Sequence, residues 1–276
     1  MTIDVEDYFQ VAAFEDVVDR QTWESRPHRV CDSTNSCLDL FAEAGVRATF
    51  FILGWVAERY PLLVRRIVAD GHEIASHGYD HKRVTDLSPT EFRADVRRTK
   101  ALLQEVSGHV VIGYRAPSYS IGRDNLWALD VLQDEGYEYS SSVYPIRHDH
   151  YGMPEAPRFA FRVRQGALLE LPITTCSIGG INLPCGGGGY FRLLPYNAFS
   201  WALRRVNRRD MQPGIFYFHP WELDPAQPRI AQAARRSRFR HYTNLHAMEG
   251  RMRRLLREFR WSRMDEVFSL RPASGA

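Results

Sequence analysis

Lysine is nearly missing from this 276-residue chain: of its 36 basic residues only Lys82 and Lys100 are lysines. Thirty-three acids leave a net charge of +3, too slight to indicate a nucleic-acid partner. Cysteine is also sparse. Cys31, Cys37, Cys176 and Cys185 form no CxxC pair, and their spacing matches neither a zinc knuckle nor a disulfide framework, so they read as free, buried thiols. No stretch approaches the roughly 18 apolar residues of a membrane span. The opening Met1-Thr2-Ile3-Asp4-Val5-Glu6-Asp7 is acidic at once and lacks the basic and apolar parts of a signal peptide. As written, the chain is therefore expected to be soluble and cytoplasmic, with an N-terminus truncated just before Met1 as the alternative. The run Gly186 to Gly189 has no Lys-Ser/Thr after it, which excludes a phosphate loop and leaves a flexible loop or a plain turn.

What is present is an ordinary globular composition, 44% hydrophobic and 25% charged, which excludes a mainly disordered chain. Short apolar runs at 46–53 and 214–218 read as buried strands, and 73–76 as another. Helical patterns lie between them. Residues 36–44 place Leu38, Phe41 and Ala42 on one face and end at Gly45, 61–69 end at Asp70-Gly71, and 125–135 stop at Gly136. Ser88-Pro89-Thr90-Glu91 carries the capping box and N1 proline of a helix start, with the helix continuing to Val106. Strand and helix in alternation predict a parallel β/α sheet or barrel. Residues 144–190, rich in proline and ending in glycines, read as inserted loops and short antiparallel strands. From Arg229 to Arg263 there are eleven arginines against Glu249 and Glu258, while Leu245, Met248, Met252, Leu255, Leu256 and Phe259 recur at helical spacing. This predicts an amphipathic helix packed on the barrel, its arginines forming a solvated face or a contact with an anionic glycan or membrane surface.

Four groups of residues carry chemistry, each predicted at the end of a strand. His77-Gly78-Tyr79-Asp80-His81 follows the strand 73–76, where two imidazoles four residues apart can share a divalent metal. Asp4, Glu6 and Asp7 crowd together at a cost unless they are solvated, paired or gathered around a cation. Arg115, ahead of the proline-fixed turn 116–119, can orient a carboxylate. His219 ends the apolar strand 214–218, where parallel β/α folds keep catalytic groups. Tyr8, Phe9, Tyr119, Tyr190 and Trp221 stand near these ends as sugar-stacking or core aromatics.

In order, the motifs TIDVED, ATFF-LG, SHGYDH, RAPSYS and FHPWE resemble the polysaccharide deacetylases of the NodB homology type, carbohydrate esterase family four. The nearest resemblance is to the subgroup associated with exosortase-linked exopolysaccharide loci, and it runs from Thr2 to about Arg263. It implies a distorted (β/α) barrel of about seven strands over 1–222, a C-terminal extension over 223–276, and a metal-dependent N-deacetylase of N-acetylated polysaccharide or oligosaccharide. Carried onto this chain, Asp4 matches the general base, His77 and His81 the metal histidines, Arg115 the residue orienting the base, and His219 the general acid. The backbone N–H of Ser118 or Tyr119 matches the oxyanion donor, and Trp221 lies on the substrate side. The metal is expected to be zinc, with cobalt or nickel as alternatives.

Two departures stand out. Val5 follows Asp4 where the family often has adjacent aspartates, so the metal carboxylate is Glu6 or Asp7. Strand alternation favours Glu6, whereas a turn straight after Val5 favours the shorter Asp7, which is preferred. Ser140 stands in Tyr139-Ser140-Ser141-Ser142 where an aspartate is expected, which puts the tuning of His219 in doubt. Two rival readings follow: a hydrolase of a non-sugar amide on this scaffold, and a catalytically silent glycan-binding relative.

Overall fold

Alternating residues in the first strands already separate two hydrophobic layers. Ile3, Val5, Phe50, Ile52 and Ile74 join the core that includes the helices, whereas Phe51 and Ala75 join a second cluster with Tyr139, Ile173 and Tyr217 on the other face. In the computed structural model, which describes residues 1–148, 152–163 and 166–270, these strands form one curled sheet. In chain order the strands are β1 (Thr2–Val5), β2 (Thr49–Ile52), β3 (Glu73–Ser76), β4 (Gly113–Tyr114), β5 (Tyr139–Ser140), β6 (Phe161–Arg162), β7 (Leu169–Glu170), β8 (Thr175–Ile178), β9 (Ile181–Pro184) and β10 (Tyr217–Phe218). The sheet order is β10-β1-β2-β3-β4-β5-β7-β6, parallel throughout except for β6, while β8 and β9 make a separate hairpin. This is a half-barrel with seven parallel strands, so their C-terminal ends share one rim.

The helices are α1 (Val30–Ala44), α2 (Gly54–Arg59), α3 (Pro61–Ala69), α4 (Pro89–Ser107), α5 (Trp127–Asp134), α6 (Gly188–Leu193), α7 (Tyr196–Arg205), α8 (Arg235–Tyr242), α9 (Leu245–Glu258) and α10 (Met264–Val267). The Ser88 capping box is formed, and Gly45 (φ 63°) terminates α1 in the left-handed conformation. α1 starts at Val30, six residues before its predicted start, because a distant side chain caps it: Asp7 Oδ2 accepts from the N–H groups of Arg29 and Val30 at 2.7 and 3.0 Å. α9 buries the predicted Leu245, Met248, Met252, Leu255 and Leu256, whereas Phe259, predicted with them, is its C-cap and only half-buried. The chain then passes to the opposite end of the strands. There Met264 N–H donates to Thr49 Oγ1 and Asp265 N–H to Glu73 Oε2, so α10 closes that end of the half-barrel.

The glycine run is neither a loop over the site nor a plain turn. Gly187 bridges Tyr217 beside β10, and α6 begins at Gly188. A Cβ at Gly188 would stand 2.4 Å from a Glu222 carboxylate oxygen, and one at Gly187 2.9 Å from the Tyr217 ring. These glycines are required by close approach, not by flexibility.

Candidate active site

Every group singled out in the sequence sits at or just beyond the C-terminal end of a parallel strand: Asp4 and Glu6 at β1, His77 and His81 after β3, Arg115 after β4, and His219 after β10. Glu6 lies on the same side as Asp4, as alternation predicts, because the chain stays extended through Val5. Its Oε2 is 2.9 Å from His81 Nε2, and its Oε1 is 3.3 Å from the indole nitrogen of Trp221 and 3.5 Å from His219 Nε2. Asp7 points elsewhere. Besides capping α1 it accepts from the Tyr8 N–H at 2.9 Å, so the preference for Asp7 as metal carboxylate is corrected by the geometry: its oxygens are already taken up by backbone donors.

Glu6, His77 and His81 each offer one ligand atom, and these atoms all lie within 4.8 Å of one another in a buried cluster. His77 Nδ1 is 2.8 Å from the Arg115 carbonyl, which makes Nδ1 the protonated nitrogen and leaves Nε2 as the lone-pair donor. Apart from the His81 Nε2 that it faces, Glu6 Oε2 is buried with no hydrogen-bond partner. Two imidazole nitrogens and an otherwise unsatisfied carboxylate oxygen are the donor set that suits a divalent cation. Burial would raise the Glu6 carboxyl, yet the neighbouring His81, His219 and His77 hold it down to about 2. Burial, reinforced by His81, lowers His77 to about 4 against the pull of Asp4, so its imidazole is neutral.

Asp4 is 2% exposed and held by Arg115, itself fully buried. The guanidinium donates to Asp4 Oδ1 at 2.6 Å, to Thr2 Oγ1 at 2.9 Å, and to the carbonyl and hydroxyl of Ser141 at 3.2 and 3.1 Å. The Tyr119 hydroxyl approaches the other Asp4 oxygen at 3.4 Å. Of the two expected oxyanion donors, Tyr119 N–H already donates to the Ala116 carbonyl at 3.0 Å, which leaves Ser118 as the candidate. Both residues have positive φ, 55° and 51°, a strained turn fixed by Pro117.

Glu222 is the residue that sequence reasoning missed, although it closes the FHPWE motif. Its Oε1 lies 3.0 Å from His219 Nδ1 and accepts the His219 N–H at 3.0 Å, and its Oε2 accepts from Arg192 Nε at 2.7 Å. Burial alone would raise this carboxyl; Arg192 and His219 bring it to about 2. His219 in turn is raised to about 9: burial lowers it, but Glu6, Glu222 and Asp4 outweigh that. Ser140 is occupied otherwise. Its hydroxyl meets Ser142 Oγ at 2.8 Å, while Glu170 from the adjoining β7 accepts from the N–H groups of Ser142 and Val143 at 2.8 Å each. Ser142 Oγ accepts from Ala116 N–H at 2.9 Å, so this network reaches the turn that carries Ser118.

Asp4, Glu6, His77, His81, Ser118, Tyr119, His219, Trp221 and Glu222 line one cavity of about 230 Å³, which opens along Ala12, Ser118 and Gly189 into a cleft of about 590 Å³ bordered by Tyr190 and Arg240. Tyr8 and Phe9 are core residues, Phe9 being packed on Trp23 and Trp55, so they present no sugar platform. Trp221 is stacked between His219 (5.0 Å) and His241 (4.0 Å), offering an edge rather than a face.

Residues 20–140 match the sequence model of the polysaccharide deacetylase family, and residues 141–269 match that of a domain of unknown function, DUF3473. A peptidoglycan-N-acetylglucosamine deacetylase of Bacillus cereus is 34% identical over 98 residues, 35% of this chain and 36% of the relative. A chitooligosaccharide deacetylase of Rhizobium leguminosarum bv. trifolii is 32% identical over 111 residues, 40% of this chain and 48% of the relative. The chain thus spans about a third to a half of the length of these relatives. In three dimensions it resembles a Mycobacterium smegmatis structure described under the same family name, with a TM-score of 0.60 at 20% identity over 100% of this chain and 92% of the other. A family 4 acetyl xylan esterase from Clostridium thermocellum, solved with a cobalt ion, gives 0.52 at 16% identity over 98% and 89%. The structural likenesses establish the fold. The sequence matches show a likeness to the polysaccharide deacetylase family over residues 20–140. Among the described residues no helix is long and apolar enough to cross a membrane.

Proposed function

We propose that the chain is a metal-dependent N-deacetylase acting on N-acetylhexosamine units of an exopolysaccharide or its precursor, with 1–222 as catalytic barrel and 223–276 as an extension packed on it. One observation carries this reading: a candidate metal-binding triad, a clamped carboxylate and a carboxylate-held imidazole line a single cavity of about 230 Å³. Glu6, His77 and His81 would hold the ion, with zinc the best fit and cobalt or nickel the alternatives. A divalent cation there would acidify water and polarise the acetyl oxygen.

The remaining roles fall to the protein's own groups. Asp4, one oxygen fixed by Arg115, takes the proton from the attacking water. Ser118 N–H supplies a donor to the oxyanion of the tetrahedral species; such a donor is typically worth about 3–4 kcal/mol. His219 gives a proton to the leaving amine, so the C–N bond breaks to an amine and acetate. Glu222 fixes the ring from its far side, the part that an aspartate at Ser140 was expected to play.

The test is acetate release from N-acetylglucosamine oligomers before chelation, after it, and after adding back zinc, cobalt or nickel. Release that stops with chelator and returns with metal supports the reading. A folded protein that releases nothing with any metal overturns it.

A further inference from the structure

Many arginines of this protein are matched by acids. Arg93 and Arg97 share Glu135, Arg254 meets Glu258, Arg253 meets Glu249, and Arg123 meets Glu155. One arginine-rich segment holds no acid of its own. Between Pro225 and Met248 there are five arginines and no aspartate or glutamate. Three of them, Arg229, Arg235 and Arg238, line a concave pocket of about 320 Å³ together with Phe239, Tyr242 and Thr243. Among the described residues none of these three arginines has a carboxylate partner.

Part of the pocket wall is fixed. The Arg229 guanidinium lies 4.8 Å over the Tyr242 ring, whose hydroxyl accepts from Ile230 N–H at 2.8 Å. The end of α8 is bolted to the active site: Arg192 donates to the carbonyls of Arg240, His241 and Thr243 and also holds Glu222, while His241 stacks on Trp221. Ser237 and Arg240, on the same helix, border the cleft that opens from the catalytic cavity.

The crowding runs against helix stability. Arg235 and Arg238 are like charges three apart, and Arg235 stands in the first turn, where the helix field favours the opposite sign. An isolated α8 gains little from packing, since only His241 of its residues is buried.

We propose that Arg229, Arg235 and Arg238 form a binding site for a phosphoryl group beside the deacetylase cleft. Guanidinium forks match phosphate oxygens in pairs, and three cations converging on one hollow suit a multiply charged group better than a lone carboxylate. The group belongs to a sugar phosphate or to a lipid headgroup, and the two sources are separable.

Titration calorimetry of the full chain with inorganic pyrophosphate is expected to show saturable one-to-one binding that weakens as salt rises. An Arg235→Gln/Arg238→Gln variant is expected to bind at least about tenfold more weakly, whereas Arg253→Gln, which alters an acid-paired arginine, binds as the parent does. Arg229→Gln, outside α8, is the second variant should the double change disturb the helix, and circular dichroism reports whether either is folded. Binding of N-acetylglucosamine 1-phosphate without retention on phosphatidylglycerol vesicles assigns the group to a sugar phosphate. Retention on those vesicles but not on phosphatidylcholine, lost in the double variant, assigns it to a lipid. The site is refuted if the parent shows no saturable pyrophosphate binding, if folded variants bind equally well, or if acetate competes as strongly as pyrophosphate. Because binding is read without turnover, failure here leaves the deacetylase reading standing.

Discussion

Glu222 holds His219: its Oε1 lies 3.0 Å from the ring Nδ1, and its Oε2 is bound by Arg192 at 2.7 Å. The imidazole therefore presents Nε2 to the cavity in one orientation, with a buried ion pair behind it. Glu222→Gln keeps the shape and removes the charge. Turnover is expected to fall about 10- to 100-fold, the usual cost of losing a partner that orients a working histidine, with KM changed far less. Removal of His219 by Ala should cost more, about 10²- to 10⁴-fold. Equal turnover in Glu222→Gln and the parent would remove Glu222 from the site.

Glu6 and Asp7 are neighbours with different tasks, and a paired experiment separates them. Glu6→Gln is expected to lower bound metal, measured by elemental analysis after dialysis, while leaving the melting temperature close to the parent's. Asp7→Ala should do the reverse. It retains metal but loses the acceptor for Arg29 and Val30 N–H, costing about 1–2 kcal/mol of stability as the loss of a helix cap does. Metal lost in Asp7→Ala and kept in Glu6→Gln would restore the assignment that the geometry corrects.

Burial lowers His72 to about 4, with Arg263 and Arg47 acting in the same direction and Asp70 against them. Its Nδ1 accepts from Ala48 N–H at 3.0 Å, an arrangement that needs the neutral ring. The folded protein thus binds this proton less readily than the unfolded chain. The stabilising contribution is present above the ordinary histidine value and is lost as pH falls from about 6.5 towards about 4. From about pH 7 to about pH 5 the loss from this group comes to about 2 kcal/mol. Urea unfolding at the two pH values should show it, with His72→Gln less acid-sensitive by that amount. An acid slope unchanged in His72→Gln would assign the effect to other groups.

The parts of this design that were legible in the sequence are local ones. The strand 73–76, the Ser88 capping box and the HxxxH pair each depend on residues within one turn or one strand, so spacing alone places them. The start of α1 could not be placed, because its cap is Asp7, 22 residues before Arg29. The His219 partner was sought at position 140 and stands at Glu222, three residues after the histidine, where no periodic pattern marks it. Its supporting cation, Arg192, lies 30 residues away in the chain. Similarly, the glycines at 186–189 look like a loop until the ring of Tyr217 and the carboxylate of Glu222 are known to lie against them.

Gly188 is therefore a sensitive probe of the catalytic geometry from outside the cavity wall. Its φ is not in the left-handed region, so alanine is acceptable to the backbone. The obstacle is space alone: the added Cβ would meet both Glu222 carboxylate oxygens, at 2.4 and 2.6 Å. Glu222 cannot swing away freely, because Arg192 and His219 hold it in place and the pair is buried. Gly188→Ala is expected to cost about 1–3 kcal/mol in stability, the range for overpacking a close-packed site. It should also lower turnover through displacement of Glu222 and hence of His219, while metal content, assigned in the proposal to Glu6, His77 and His81, is expected to stay at the parent level. A Gly188→Ala protein with full turnover would mean that the glutamate can move without disturbing the histidine, and that the carboxylate is scaffolding rather than part of the acid.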